Sequence, residues 1–205
     1  QYRSWCGVCI KAKGQEDSHK TKNREEGSEV PVIDMDCGYM SYKNDKKDEA
    51  GKLESTGNGR PMIVMKCRNK KYYFADQVPA KGGDSYAVRT IEHNIKNILG
   101  YDRVIIKSDQ EPAIKTLVEK LKELKTVEAV PEKSAVGDSQ SNPYAESAVK
   151  QIKGQARALK IALEEHLKAD IPDDHPIVAW IVKRAAQVMN HYLQIYHLIE
   201  DPLYF

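Results

Sequence analysis

The residues of this chain best able to do chemistry are acids, and they stand in a few marked places. Asp34 and Asp36 interrupt the apolar run Val30–Met40 (VPVIDMDCGYM) and, being two apart, face one side of a strand. A carboxylate in such a run is costly to bury unless it is paired or holds a metal, and an edge pair in solvent is the plainer alternative. Asp109 closes a second apolar run, Arg103–Asp109, just before Gln110-Glu111-Pro112 opens a helix. The end of a strand where a helix begins is a usual seat of α/β chemistry. It is equally a place for a simple helix cap. Glu146 heads a stripe in which Lys150, Lys153, Arg157 and Lys160 follow at steps of three or four. An acid ahead of four cations suits a metal ion handling a phosphate, with nucleic acid running along the helix. On a merely solvated helix, each such pair would add only about 0.2–0.5 kcal/mol.

These residues need elements to carry them. The stretch Gly137–Lys160 reads as a long helix: Ser139, Ser141 and Asn142 suit the cap, and Pro143 the first turn. Its apolar stripe is Ala145, Val149, Ile152, Ala156, Leu159 and Leu163, and the helix extends toward Leu167. Upstream, Pro61–Cys67 and Lys71–Val78 form a strand pair around the polar turn Arg68-Asn69-Lys70. Asp84 or Ser85 caps a helix with a seam of Val88, Ile91, Ile95 and Ile98, ended by Gly100; His93 lies off that seam, at the surface. The helix from Pro112 carries Ile114, Leu117, Leu121 and Leu124 on its core face, and Val127–Val130 is a last short strand. After the turn 171–176, Ile177–Ile199 is a second long helix, with Ile181, Ala185, Val188, Tyr192, Ile195 and Ile199 in register. His166, His175, His191 and His197 lie in or beside these last helices without metal-ligand spacing.

Length and composition bound the rest. With 205 residues, 30% charged and 40% hydrophobic, the chain can build one good core with polar flanking pieces. A net charge of +2 does not by itself select a partner, but residues 1–24 hold Arg3, Lys11, Lys13, Lys20, Lys22 and Arg24 against Glu16 and Asp17, a basic arm. No apolar run is long enough to span a membrane. The chain opens on Gln1 without a signal-peptide pattern and reads as a piece of something longer. Of four cysteines, Cys37 and Cys67 read as packing residues, and nothing indicates a disulfide framework, so the expected setting is intracellular. Cys6 and Cys9 form a CxxC with two of the four ligands a tetrahedral zinc needs: either the others precede Gln1 or the pair binds nothing, so an empty half-site is expected, with His19 as an exposed loop residue. Residues 14–29 are a linker by composition, and Ser41–Gly59 reads as a mobile insertion between two strands.

Taken in order, the elements run strand, strand, strand, helix, strand, helix, strand, helix, with acids on the first strand, at the end of the fourth, and on a late helix. Together with DCG at 36–38, SDQEP at 108–112 and SQSNPYAES at 139–147, this resembles the catalytic core of retroviral and LTR-retrotransposon integrases. Asp109 and Glu146 are 37 positions apart, with 36 residues between them, which fits that family's spacing. The run WCGVC resembles the second half of the zinc module that precedes the core, particularly in Gypsy-type elements. The resemblance implies an α/β, ribonuclease-H-like fold: a five-stranded mixed sheet flanked by helices, of the DDE polynucleotidyl transferase type. It implies 1–13 as the remnant of the zinc module, 14–29 as linker, 30–169 as catalytic core, and 170–205 as its C-terminal helix and tail.

It also assigns roles. Asp36 rather than Asp34 becomes the first acid, joined by Asp109 and Glu146 as catalytic residues and ligands of two Mg²⁺ or Mn²⁺ ions, with Zn²⁺ expected in a full-length zinc module. Lys150 and Lys153 match helix lysines that contact DNA, with Arg157 and Lys160 continuing the stripe and Asn142 and Tyr144 at its mouth. The implied activity is DNA 3′-end processing and strand transfer. The implied partners are double-stranded DNA and further copies of the chain, in a nucleus, a virus-like particle or the cytoplasm, with no membrane. The chain departs from the family pattern at Gln110-Glu111 and Pro143, and the zinc histidines and C-terminal DNA-binding domain of the family are expected to be absent from this piece. Two rival readings are a ribonuclease-H-like nuclease and an inactive DNA-binding or interaction remnant of a retroelement.

Overall fold

The computed structural model describes residues 30–40, 60–108, 111–133 and 142–200, together with Gly7. Cys6, Cys9, the linker at 14–29, the insertion at 41–59 and Asp109 lie outside the described residues. Five strands, β1 (Val32–Tyr39), β2 (Pro61–Cys67), β3 (Tyr72–Gln77), β4 (Arg103–Ser108) and β5 (Glu128–Lys133), form one sheet in the order β3-β2-β1-β4-β5. β1 is antiparallel to β2 and parallel to β4, β2 is antiparallel to β3, and β4 is parallel to β5. The expected five-stranded mixed sheet flanked by helices is therefore the observed architecture.

Among the described residues four helices cover it: α1 (Ser85–His93, continuing as a π-helical stretch Asn94–Ile98), α2 (Pro112–Glu123), α3 (Pro143–Leu167) and α4 (Ile177–Glu200). Because strand side chains alternate, each face of β1 serves a different core. Ile33 and Met35 join Ile63, Met65, Ile106, Ile91 and Leu117 under α1 and α2. On the opposite face Met62, Val64, Tyr73 and Ala75 pack beneath Ala148, Ile152 and Ala156 of α3 and Val182 and Ala185 of α4. The central position of β1 explains why its run is apolar apart from Asp34 and Asp36, since a strand covered on both faces has few places for polar side chains.

Several boundaries differ from the sequence expectation. The α1 seam continues from Ile95 to Leu99, 2% exposed, while Ile98 is 46% exposed. The π-helical turn is wider than an α-turn, and so it carries the seam one residue further along. Leu124 is exposed because it falls at the C-cap of α2; Val118 takes its place in an i, i+3, i+4, i+7 stripe of Ile114, Leu117, Val118 and Leu121. Tyr192 is likewise exposed, the buried stripe of α4 passing through Ala185, Ala186 and Asn190 with Met189 and Leu193 beside it. β5 runs through Pro131 to Lys133, which is tolerable because it is an edge strand and need not donate on its outer side.

The other edge is closed by a side chain. Asn190 of α4, buried, accepts a hydrogen bond from the Tyr73 N–H at 2.7 Å and donates to the Tyr73 carbonyl at 2.7 Å. This clasp fills backbone valences that an edge strand would otherwise offer to another chain. Asn190→Ala is expected to strand both buried groups and to destabilise the fold by about 1–3 kcal/mol for each, read as a fall in the urea midpoint.

Asp76, at the end of β3, is buried beside Asn94 and forms an ion pair with Lys183 at 3.3 Å. Burial raises its pKa above the ordinary carboxylate value, against the pull of Lys183 and Asn94. A carboxyl with a raised folded-state pKa stabilises the fold below its unfolded pKa, and that stability is lost as pH rises through the folded value. Asp76→Asn is therefore expected to raise the melting temperature at pH 7, with the gain vanishing below about pH 4, where both side chains are neutral.

Candidate active site

Asp34, Asp36 and Gly38 point to the α3 face of β1, opposite Ile33 and Met35. Asp34 is structural. Asp34 is 0% exposed, and Arg68 grips it with both arms of its guanidinium, Nε to Oδ2 at 2.7 Å and Nη2 to Oδ1 at 2.6 Å. Its cross-strand neighbour is Lys66, whose neighbour in turn is Tyr73. Two residues on, Asp36 is half-buried, and its Oδ1 accepts the Cys37 N–H at 2.7 Å, which orients the carboxylate.

Three contacts fix the start of α3 over this face. Asn142 caps the helix, its side-chain oxygen accepting from the Ala145 N–H, and its amide donates to the Lys107 carbonyl of β4 at 3.2 Å. The ring of Tyr144 lies 4.3 Å from the Arg68 guanidinium carbon, with the Lys66 ammonium 5.8 Å away. Val149 closes over Gly38, where an added Cβ would stand 3.2 Å from Val149 Cγ1 and 3.2 Å from Met62 Cε. Lys107 is the β4 partner of Asp34, so Asn142 and Tyr144 lie at the level of Asp34, while Val149 lies at that of Gly38. Helix and strand thus advance together. Asp36 falls between Asp34 and Gly38 on the strand, and Glu146 between Tyr144 and Val149 on the helix. Glu146 is exposed on the first turn, near the positive end of the helix dipole.

Asp109 lies outside the described residues, immediately after Ser108, whose β1 partner is Met35. Among the described residues no group of three or more His, Cys, Asp or Glu side chains is arranged to hold a metal. The donors that are described, Asp36 and Glu146, are hard oxygen ligands of the kind Mg²⁺ and Mn²⁺ take. The neighbouring sulfur does not compete: burial first, then the charges of Asp36 and Glu111, push the Cys37 thiol up to about 12, so it stays protonated at neutral pH. The donor chemistry fits a divalent hard cation.

The other expected contacts divide. Lys150 is exposed, while Lys153 and Arg157 are half-buried, the Lys153 stem passing near Gly38. Lys160 departs from the expected stripe: it is 8% exposed, and its ammonium meets Glu164 at 2.9 Å and Asp173 at 3.5 Å. It holds the end of α3 to the 171–176 turn and is not a cation offered to DNA. Asn142, 1% exposed with both ends of its amide engaged, is a cap and not a DNA contact. One face of Tyr144 is occupied by Arg68, although the residue is 38% exposed. Cys6 and Cys9 lie outside the described residues. Arg68 was missed by sequence reasoning, which saw only a polar turn; the cost of burying Asp34 was the available signal. The Lys81–Glu111 ion pair at 2.8 Å, with Lys81 also 4.9 Å from the Tyr39 ring centre, left no signal in the sequence.

The sheet order and the two helical layers make a ribonuclease-H-like fold, a five-stranded mixed sheet flanked by helices. Similar solved structures include a chain of the simian T-cell lymphotropic virus intasome in complex with PP2A regulatory subunit B56 gamma, at TM-score 0.54 and 15% identity over 91% of this chain. This chain spans 57% of the length of that one. The catalytic core domain of BIV integrase is also similar, at TM-score 0.47 and 15% identity, over 81% of this chain and 95% of that one. No protein-family model and no curated protein matches the sequence. Among the described residues no helix is long and apolar enough to cross a membrane.

The tight seat under Val149 makes Gly38→Val a direct probe of the α3–β1 contact. It is expected to cost about 1–3 kcal/mol by overpacking, with Gly38→Ala costing less because Met62 can yield. Chemical denaturation of both variants checks this order.

Proposed function

We propose that this chain is the catalytic core of an integrase-type polynucleotidyl transferase, acting in metal-dependent DNA 3′-end processing and strand transfer. The observation that carries the reading is the shared interval of Asp36 and Glu146 on facing elements of a ribonuclease-H-like fold, with an exposed lysine, Lys150, one turn beyond Glu146. Asp36, Asp109 and Glu146 would hold two Mg²⁺ or Mn²⁺ ions. Bound there, such ions supply charge neutralisation for an in-line displacement at phosphorus.

The chain's own residues do the remaining work. Asp36 presents a carboxylate oriented by the Cys37 N–H, and Glu146 one carried on a helix start that favours negative charge. Lys150, Lys153 and Arg157 bind phosphates, giving sequence-tolerant, salt-sensitive affinity for double-stranded DNA. The wider reading follows from the family resemblance: a Gypsy-type LTR element, the 1–13 stretch with Cys6 and Cys9 as half of a zinc site, assembly of several copies on DNA ends, and action in a nucleus or virus-like particle.

Glu146→Gln is expected to abolish Mn²⁺-dependent joining of labelled DNA ends while leaving the melting temperature within a degree or so of wild type; unchanged joining removes Glu146 from the site. Replacing Lys150 and Lys153 together by Ala is expected to flatten the slope of log affinity against log salt by about two. A slope that does not move leaves the stripe without a role in binding. Cleavage of RNA–DNA hybrid with no joining of DNA would favour the nuclease alternative.

A further inference from the structure

The row of contacts at the level of Asp34 does more than neutralise a buried acid. Lys66, the cross-strand neighbour of Asp34, lies 5.0 Å from the Tyr73 ring centre as well as near Tyr144, and the Tyr73 hydroxyl donates to Gln151 of α3 at 3.1 Å. Gln151 in turn donates to Ser147 at 3.1 Å. Tyr144 and Gln151, seven residues apart, thus share the face of α3 that is held to β2 and β3, while Glu146 stands exposed on another face of the first turn. The strongest link is the Arg68 guanidinium: its Nε and Nη2 are both spent on a fully buried carboxylate, which fixes its plane, and its central carbon lies 4.3 Å over the Tyr144 ring.

We propose that Arg68 and Tyr144 are positioning residues for Glu146: the Asp34–Arg68 pair presents a fixed planar platform, and the Tyr144 ring on that platform sets where Glu146 stands relative to Asp36. The proposal rests on the reading of Glu146 as a metal-holding acid. It assigns Tyr144 to the support of the site, with no need for the ring to touch a DNA end. An aromatic ring suffices for this role and its hydroxyl does not enter. Arg cannot be exchanged for Lys without loss, because an ammonium has neither the fork nor the face.

The test uses the full chain and its variants Tyr144→Phe, Tyr144→Ala, Arg68→Lys and the double Arg68→Lys/Tyr144→Ala, without DNA. Mn²⁺ affinity is read by electron paramagnetic resonance, and amide hydrogen exchange is followed over residues 145–149. Tyr144→Phe is expected to bind Mn²⁺ within about twofold of wild type, while Tyr144→Ala and Arg68→Lys each bind about tenfold more weakly, as loss of outer-shell support does. The double variant is expected to be no weaker than the worse single, because the two residues act through one contact. Losses that multiply in the double variant, or a Tyr144→Ala protein that binds Mn²⁺ as wild type does, overturn the proposal. If Arg68→Lys does not fold, the comparison of Phe with Ala at 144 decides, and equal affinities overturn it. A wild-type protein that binds no Mn²⁺ sinks the reading of Glu146 but not the platform. Exchange over 145–149 then decides: faster in Tyr144→Ala supports the platform, and unchanged exchange overturns it.

Discussion

A carboxylate with no exposed surface has to be matched where it sits, and Asp34 is matched by the bidentate grip of Arg68. Removing one partner of such a pair costs about 3–5 kcal/mol, because the other charge is left buried and alone. That is a large share of the roughly 5–15 kcal/mol by which a domain is stable. The pair therefore constrains everything near it. It ties the β2–β3 turn to the middle of β1, gives Tyr144 a rigid surface, and so determines how α3 enters the sheet. An apolar pair of similar volume could have filled the space, but it would not have offered a planar cation to an aromatic ring.

The second constraint is steric and acts at the other end of the same interval. Gly38 lets Val149 and the stem of Lys153 come down onto β1, closer than a strand with side chains would allow. With Arg68 below and Gly38 above, the register of α3 along β1 is held at two points. Asp36 and Glu146 lie between them, on a half-buried strand and an exposed helix start respectively. The far end of α3 is anchored by a different device, Lys160 set between Glu164 and Asp173, with the Ile171 N–H donating to Glu164 at 2.8 Å. The helix thus carries cations of two kinds: those near Glu146 face outward or half outward, and the last one is internal.

Much of this was legible in the sequence because it depends on period and composition. The apolar run around Asp36, the strand pair about residues 68–70, and the stripe from Ala145 to Leu163 are local patterns, and each is found where expected. What failed depends on non-local packing or on small changes of helical pitch. Ile98 was expected inside because an α-helical period was assumed, and the π-helical turn moved the seam to Leu99. Lys160 looked like one more member of a basic stripe, because spacing cannot reveal that Asp173, beyond the helix end, folds back to it. Its place at the helix start suits Asn142 both as a cap and as a DNA contact; only the position of the Lys107 carbonyl shows that its amide is already engaged. The pairing of Asp34 with Arg68 joins residues 34 apart, which no local pattern encodes.

The central claim is that Asp36, Asp109 and Glu146 share bound divalent cations. Anomalous scattering from crystals of the protein grown with Mn²⁺ addresses it most directly. The account predicts manganese peaks between the side chains of Asp36 and Glu146 and in contact with Asp109. Manganese bound elsewhere, or absent from that interval at saturating concentration, would contradict it.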